Sequence, residues 1–161
     1  MVVTINGTTG ITTPGVSSSN NIVTTGSGFI SSATTLNATG DATMNANLIA
    51  ESYQESSVDL TGTSPVIDCE TGNVFTLTTS GATTFGAATN VPTTGTGYGF
   101  MLKLTAGGTH TVDYSGLGTN VYFAGGTAPD APASGETDIL VFTTMDGGST
   151  WYGALSIDAA S

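Results

Sequence analysis

The chain alternates between short apolar runs and polar turn residues. The clearest case is Thr137 to Leu155, where Ile139-Leu140-Val141-Phe142 leads into Asp146-Gly147-Gly148-Ser149 and a second β-rich run, Trp151-Tyr152-Gly153, leads out. Glycines there supply the positive φ of a tight reversal, so the stretch predicts a β-hairpin. Upstream, Val74-Phe75-Thr76-Leu77-Thr78-Thr79 predicts a strand with Phe75 and Leu77 inward and Thr76 and Thr78 outward. Tyr98, Phe100, Leu102 and Leu104 alternate with Gly99, Met101 and Lys103 in the same way. Ser64 to Cys69 reads as an extended run with Val66, Asp68 and Glu70 on one face and Ile67 and Cys69 on the other. A short strand is expected at Thr83-Thr84-Phe85 and another at Tyr122-Phe123. Ala106-Gly107-Gly108-Thr109 reads as a second hairpin turn, returning His110 to Tyr114 antiparallel to Tyr98–Leu104.

Between Leu60 and Ile157 this gives about seven or eight short strands at roughly ten-residue spacing, the pattern of an antiparallel sandwich or barrel. Helical crossovers for a parallel α/β sheet are not predicted. The best helical stretch, Asn47 to Gln54, spans barely two turns.

The first third differs. Met1 to Gly15 alternates β-branched residues with Asn6-Gly7 and Pro14-Gly15, and Ser17 to Asn21 is a polar linker. Leu36, Gly40, Met44 and Leu48 fall at four-residue intervals, while Ala42, Met44, Ala46 and Leu48 show a period of two, which favours short strands. So few apolar residues reach stability most easily by pairing with copies from other chains. The expected organisation is an extended arm or shaft over residues 1–59, used for attachment and trimerisation, and an antiparallel β-sandwich domain over 60–161. The acidic Glu51 to Asp59 stretch is the connector.

Composition sharpens this. Of 161 residues, 8% are charged, against roughly 25% in ordinary soluble proteins. Asp and Glu number 12, and Lys103 is the single base, giving a net charge of -11. Without a basic patch there are no donors for a phosphate backbone, so neither nucleic acid nor an anionic membrane is expected as a partner. The amino terminus lacks the basic residues and apolar run of a signal peptide, and no stretch approaches a membrane span. The single Cys69 cannot form an intramolecular disulfide.

Chemistry is sparse. His110 is the only histidine, lies in no serine-elbow context, and with Cys69 leaves a zinc site two ligands short. Asp68 and Glu70, with Asp113 or Asp138, are the candidate carboxylate pairs for glycan cleavage, and a solvated or interfacial role is the plainer reading. Asp146-Gly147-Gly148 lacks the spaced acids of a calcium loop. Gly95-Thr96-Gly97-Tyr98-Gly99 has no following helix to make it a phosphate loop. No metal, cofactor or catalytic residue is expected.

The runs Gly72 to Thr78, Gly97 to Gly108, Gly125-Gly126-Thr127-Ala128-Pro129, Asp138 to Phe142 and Asp146 to Gly153 together resemble a carboxy-terminal β domain common in virion structural proteins of marine tailed bacteriophages. Ile5 to Gly15 and Leu36 to Leu48 are similar to amino-terminal and shaft segments of phage fibre-like proteins. The resemblance implies a structural, non-enzymatic protein on the virion surface, usually an interwoven homotrimer, its sandwich jelly-roll-like. The length is closer to a head decoration or cement protein, anchored by its arm to the major capsid protein or another virion protein. A short tail fibre, or a receptor- or carbohydrate-binding module contacting a host-surface glycan, is the alternative. The expected subunit interface comprises Leu36, Met44, Leu48, Trp151 and Tyr152. Adjacent on one strand, Trp151 and Tyr152 must face opposite ways, one into the core. Tyr114 and Tyr122, or Trp151 if exposed, are the aromatics expected to face a ligand.

Overall fold

A computed structural model describes residues 51–160, all within the unit Ala50–Ser161. The expected arm, with Leu36, Met44 and Leu48, lies outside the described residues. Within them the class is all-β: eight strands and two single 3-10 turns.

The strands are β1 (Ser57–Leu60), β2 (Val74–Thr79), β3 (Thr83–Thr84), β4 (Tyr98–Ala106), β5 (Val112–Asp113), β6 (Asn120–Phe123), β7 (Thr137–Thr144) and β8 (Thr150–Ala160). Six of them form one sheet in the order β1-β2-β4-β7-β8-β6, while β3 and β5 pair separately. The expectation of antiparallel pairing throughout is corrected. Pairings β1·β2, β2·β4 and β6·β8 are parallel, and only β4·β7 and β7·β8 are antiparallel.

The parallel pairs β1·β2 and β2·β4 arise because the chain coils. After each of β1 and β2 it crosses to a second layer and returns beside the strand it left, whereas after β4 it crosses again and enters the sheet at its far edge as β6, beside β8. Residues 83–89 are the middle of that layer. On one side the N–H groups of Thr84, Gly86 and Thr89 donate to the carbonyls of Thr63, Pro65 and Ile67, each at 2.9 Å. On the other, those of Thr83 and Phe85 donate to Thr111 and Asp113 at 2.9 Å, and that of Ala88 to Leu117 at 3.1 Å. Loops thus make the crossovers that helices make in α/β proteins, and the backbone of the second layer is still satisfied.

This coiling overturns the hairpin expected at Ala106–Thr109. A Cβ on Gly107 would lie 2.2 Å from the Thr79 carbonyl, so Gly107 is required for close approach to the end of β2 rather than for reversal onto β4. The chain then runs to β5 beside β3, and His110 lies in no strand. The expected boundary at 59/60 also falls inside β1, which the acidic stretch masked: Val58 and Leu60 face inward while Ser57 and Asp59 are exposed.

The hairpin β7–β8 is as the sequence predicts. Gly147 and Gly148 adopt φ of 71° and 81°. The Asp146 carboxylate accepts from the Thr150 N–H at 2.9 Å and the Thr144 hydroxyl at 3.0 Å, and the backbone bond to Thr150 holds that carboxyl below its ordinary value. A depressed carboxylate stabilises the fold fully above its unfolded value, 3.8, and loses that contribution as pH falls through the lower folded value. Asp146→Ala is therefore expected to lower the denaturation midpoint at pH 7, and the gap from the natural chain should be smaller at about pH 2. Parallel urea titrations at the two pH values check this.

The core lies between the layers. Phe75, Leu77, Phe100, Leu102, Leu104, Leu140, Phe142 and Trp151 come from the inner face of the main sheet, as the period of two required, and Ile67, Phe85, Tyr114 and Leu117 from the coil segments over it. Phe100 stacks on Phe142 at 4.9 Å and meets Phe75 edge-on at 5.5 Å. Such contacts add about 0.5–1.5 kcal/mol per pair to area burial.

Candidate functional site

The outer face of the main sheet is the notable surface. Alternation that sends Phe100, Leu102 and Leu104 inward sends Met101 and Lys103 outward, and on β7 it sends Ile139, Val141 and Thr143 outward. Register sets these in rows. One runs Val74, Met101, Val141, Ala154, and the next runs Asp59, Thr76, Lys103, Ile139, Ile157. Between Leu155 and Ile157 a bulge adds a residue to β8, so Leu155 stays inward opposite Leu140 while Ile157 turns outward opposite Ile139. Met101, Val141 and Ile157 are 39%, 42% and 50% exposed. Lys103 and Asp59 are the charges in these two rows, and Asp59 is bonded to the Thr76 hydroxyl.

At the corner nearest the hairpin turn the row Gly99, Thr143, Tyr152, Tyr122 ends in two tyrosines in register on the parallel strands β8 and β6. Their rings are 6.0 Å apart at 37°, and each is about half exposed. Tyr152, expected at a subunit contact, and Tyr122, expected to face a ligand, thus share one site. Thirty residues separate them in sequence, so the pairing was hidden; the alternation Val121-Tyr122-Phe123 did signal that Tyr122 would oppose Phe123.

Two expected surface aromatics are corrected. Trp151 is fully buried, in edge contact with Phe100 at 5.4 Å and Tyr98 at 6.3 Å, and can belong neither to an interface nor to a sugar platform. Its strand carried the signal: Trp151 and Leu155 share a parity, so the apolar side of β8 is theirs and Tyr152 points outward. Tyr114 is 2% exposed. The Asp113 carboxylate accepts from the Ser115 N–H at 2.8 Å, ends β5 in a turn and drives the Tyr114 ring onto Phe85, stacked at 5.5 Å. Burial raises the Tyr114 phenol well above its ordinary value, and its hydroxyl has no hydrogen-bond partner among the described residues.

Of the carboxylates weighed for acid/base work, Asp68, Asp113 and Asp138 are occupied structurally. Asp68 accepts from the Glu70 N–H at 3.1 Å and the Asn90 amide at 2.8 Å, fixing a loop in which Asn90 has φ of 51°. Buried Asp138 accepts from the N–H of Ala159 at 2.9 Å, anchoring the irregular end of β8. Cys69 lies beside Tyr98, whose hydroxyl donates to the Gly72 carbonyl at 2.5 Å; burial raises both the thiol and the phenol. Among the described residues no group of three His, Cys, Asp or Glu side chains gathers to hold a metal ion, and no helix is long and apolar enough to cross a membrane.

Comparison with known proteins finds no matching family, no matching curated protein and no matching solved structure.

Proposed function

We propose that the chain is a non-enzymatic structural protein of a phage virion surface, a homotrimeric decoration protein of the head in which residues 51–160 form the outward domain and the preceding residues attach to the capsid. The observation that carries the assembly is the apolar outer face. Met101, Val141, Ala154 and Ile157 are exposed, and half-buried Val74 and Ile139 extend their rows, on one face of a domain rich in surface threonine, serine and acid. Contiguous apolar surface of this kind marks an interaction site. Another copy is the natural partner, because around a three-fold axis Lys103 of one copy can meet Asp59 of the next on a face otherwise without charge.

Two layers enclosing one core support a sandwich as the finer description of the fold. The parallel pairs weigh against a jelly roll, which is built from antiparallel strands. Carboxylates committed to loop and strand-end hydrogen bonds support a structural role over catalysis. The resemblance of the 97–153 region to virion β domains supports the location on a particle.

The test introduces charge where copies would meet. Met101 and Val141 are direct neighbours in register. Met101→Glu with Val141→Glu is expected to convert trimer to monomer with the Trp151 environment unchanged, as read by light scattering and by tryptophan fluorescence. A double variant that stays trimeric would exclude this face as the seam.

A further inference from the structure

We infer that the Tyr122–Tyr152 pair is a binding platform for a neutral, extended polysaccharide of equatorially linked hexopyranoses. This rests on the reading of the chain as a non-enzymatic exterior module. The two rings stand side by side at 6.0 Å with a tilt of 37°, each half exposed on the same sheet face. They are fixed from beneath, since Val121 and Phe123 on β6 and Trp151 on β8 point into the core. The phenols are therefore held by packed strands rather than by a mobile loop, so little side-chain freedom is lost on binding.

A pyranose has an apolar face of C–H bonds and a rim of hydroxyls. An open tyrosine ring matches that face, and its hydroxyl matches the rim. Among the described residues neither Tyr122 nor Tyr152 spends its hydroxyl on a hydrogen bond. The polar side chains flanking the pair on this face are Asn120 and Thr150, uncharged donors and acceptors suited to sugar hydroxyls, and Thr143, whose hydroxyl donates to the Tyr98 carbonyl at 3.0 Å and can still accept. Two adjacent rings take two successive sugars, and their tilt accommodates the twist between units of an extended chain.

The setting selects the ligand further. Two half-exposed rings in register on one sheet face suit a linear, ribbon-like chain better than a branched or helical one. With 12 acids to one base, the protein repels uronates and sialylated or phosphorylated glycans over the ~10 Å range of charge interactions at ordinary ionic strength. The platform's row borders the row Val74, Met101, Val141, Ala154 and ends at the β6 edge of the sheet, so Tyr122 is the ring farther from the alkyl face and Tyr152 the one next to it.

Isothermal titration of the full-length protein with the hexasaccharides of β-1,4-linked glucose and β-1,4-linked N-acetylglucosamine tests this, with oligogalacturonate as the anionic control. The expected result is binding of at least one neutral hexasaccharide and none of the control. Tyr122→Ala with Tyr152→Ala should weaken that binding roughly tenfold or more, while Tyr152→Phe, which keeps the ring, should change it far less. Light scattering on the alanine double variant separates the two readings of the pair. Unchanged mass with lost sugar binding supports the platform. Failure of the natural protein to bind either neutral hexasaccharide overturns it, as does unaltered binding by the double variant. A fall in mass in that variant, without sugar binding by the natural chain, would assign the tyrosines to the subunit seam and leave the assembly reading standing; a sugar-binding monomer would do the reverse.

Discussion

Trp151→Ala is expected to cost about 3–5 kcal/mol, the range for deleting a large buried aromatic. The indole is fully buried and touches Phe100 and Tyr98 edge-on, so its loss opens a cavity where β4 and β8 face the same core. Domains of this size have roughly 5–15 kcal/mol in total, so the variant should melt roughly 10–20 °C lower and populate unfolded chain on mild warming. The Trp151 Nε1–H is buried with no hydrogen-bond partner among the described residues. An unmet buried donor is itself costly, so Trp151→Phe removes a penalty along with area and should fall far less than alanine. Thermal melts of the two variants beside the natural chain decide it. Equal losses for Phe and Ala would contradict the account of Trp151 as a packed core residue with an unmet donor.

Gly116→Ala is the second large effect, and its mechanism is opposite. A Cβ at Gly116 would sit 1.9 Å from the carbonyl oxygen of Phe85 and 3.1 Å from its carbon. Both obstacles are backbone, so no rotamer change relieves them. The turn at Ser115–Leu117 must lift from residues 83–89, straining the Ala88 to Leu117 hydrogen bond and the stacking of Phe85 on Tyr114. Overpacking of this kind costs about 1–3 kcal/mol and occasionally more, and the contact here is severe enough to place it at the upper end. Gly125→Ala is the control: that glycine has open space around its Cβ position and a φ of 76°, so only the backbone strain is felt. Denaturant midpoints should rank natural chain, Gly125→Ala, then Gly116→Ala.

Both sites show what could be read from the chain and what could not. The period of two placed Phe75, Leu77, Phe100, Leu102 and Leu104 in the core, and Asp146-Gly147-Gly148-Ser149 fixed the β7–β8 hairpin, because each signal is local. Strand partners are not local. Gly107-Gly108 looks like a reversal, yet Gly107 is there to let the backbone pass Thr79, a contact 28 residues away. Ser57-Val58-Asp59-Leu60 looked like solvated connector because its outward side carries acid and serine, while its inward side has only two apolar residues. The same limit applied to the candidate site. Parity told that Trp151 and Tyr152 oppose each other, and Leu155 could have told which is inside. That Tyr122 stands next to Tyr152 follows only from β6 joining β8 in parallel, a long-range choice that loops without distinctive residues conceal.

Assembly through the outer face is the claim on which the functional reading depends most, since exposed Met101, Val141 and Ile157 and the half-buried Ile139 beside them have no other assigned partner. Multi-angle light scattering of the full-length chain measures it directly. The account predicts a mass of about 48 kDa, three copies of the 16.0 kDa chain. A single species at 16.0 kDa across the accessible concentration range would contradict it.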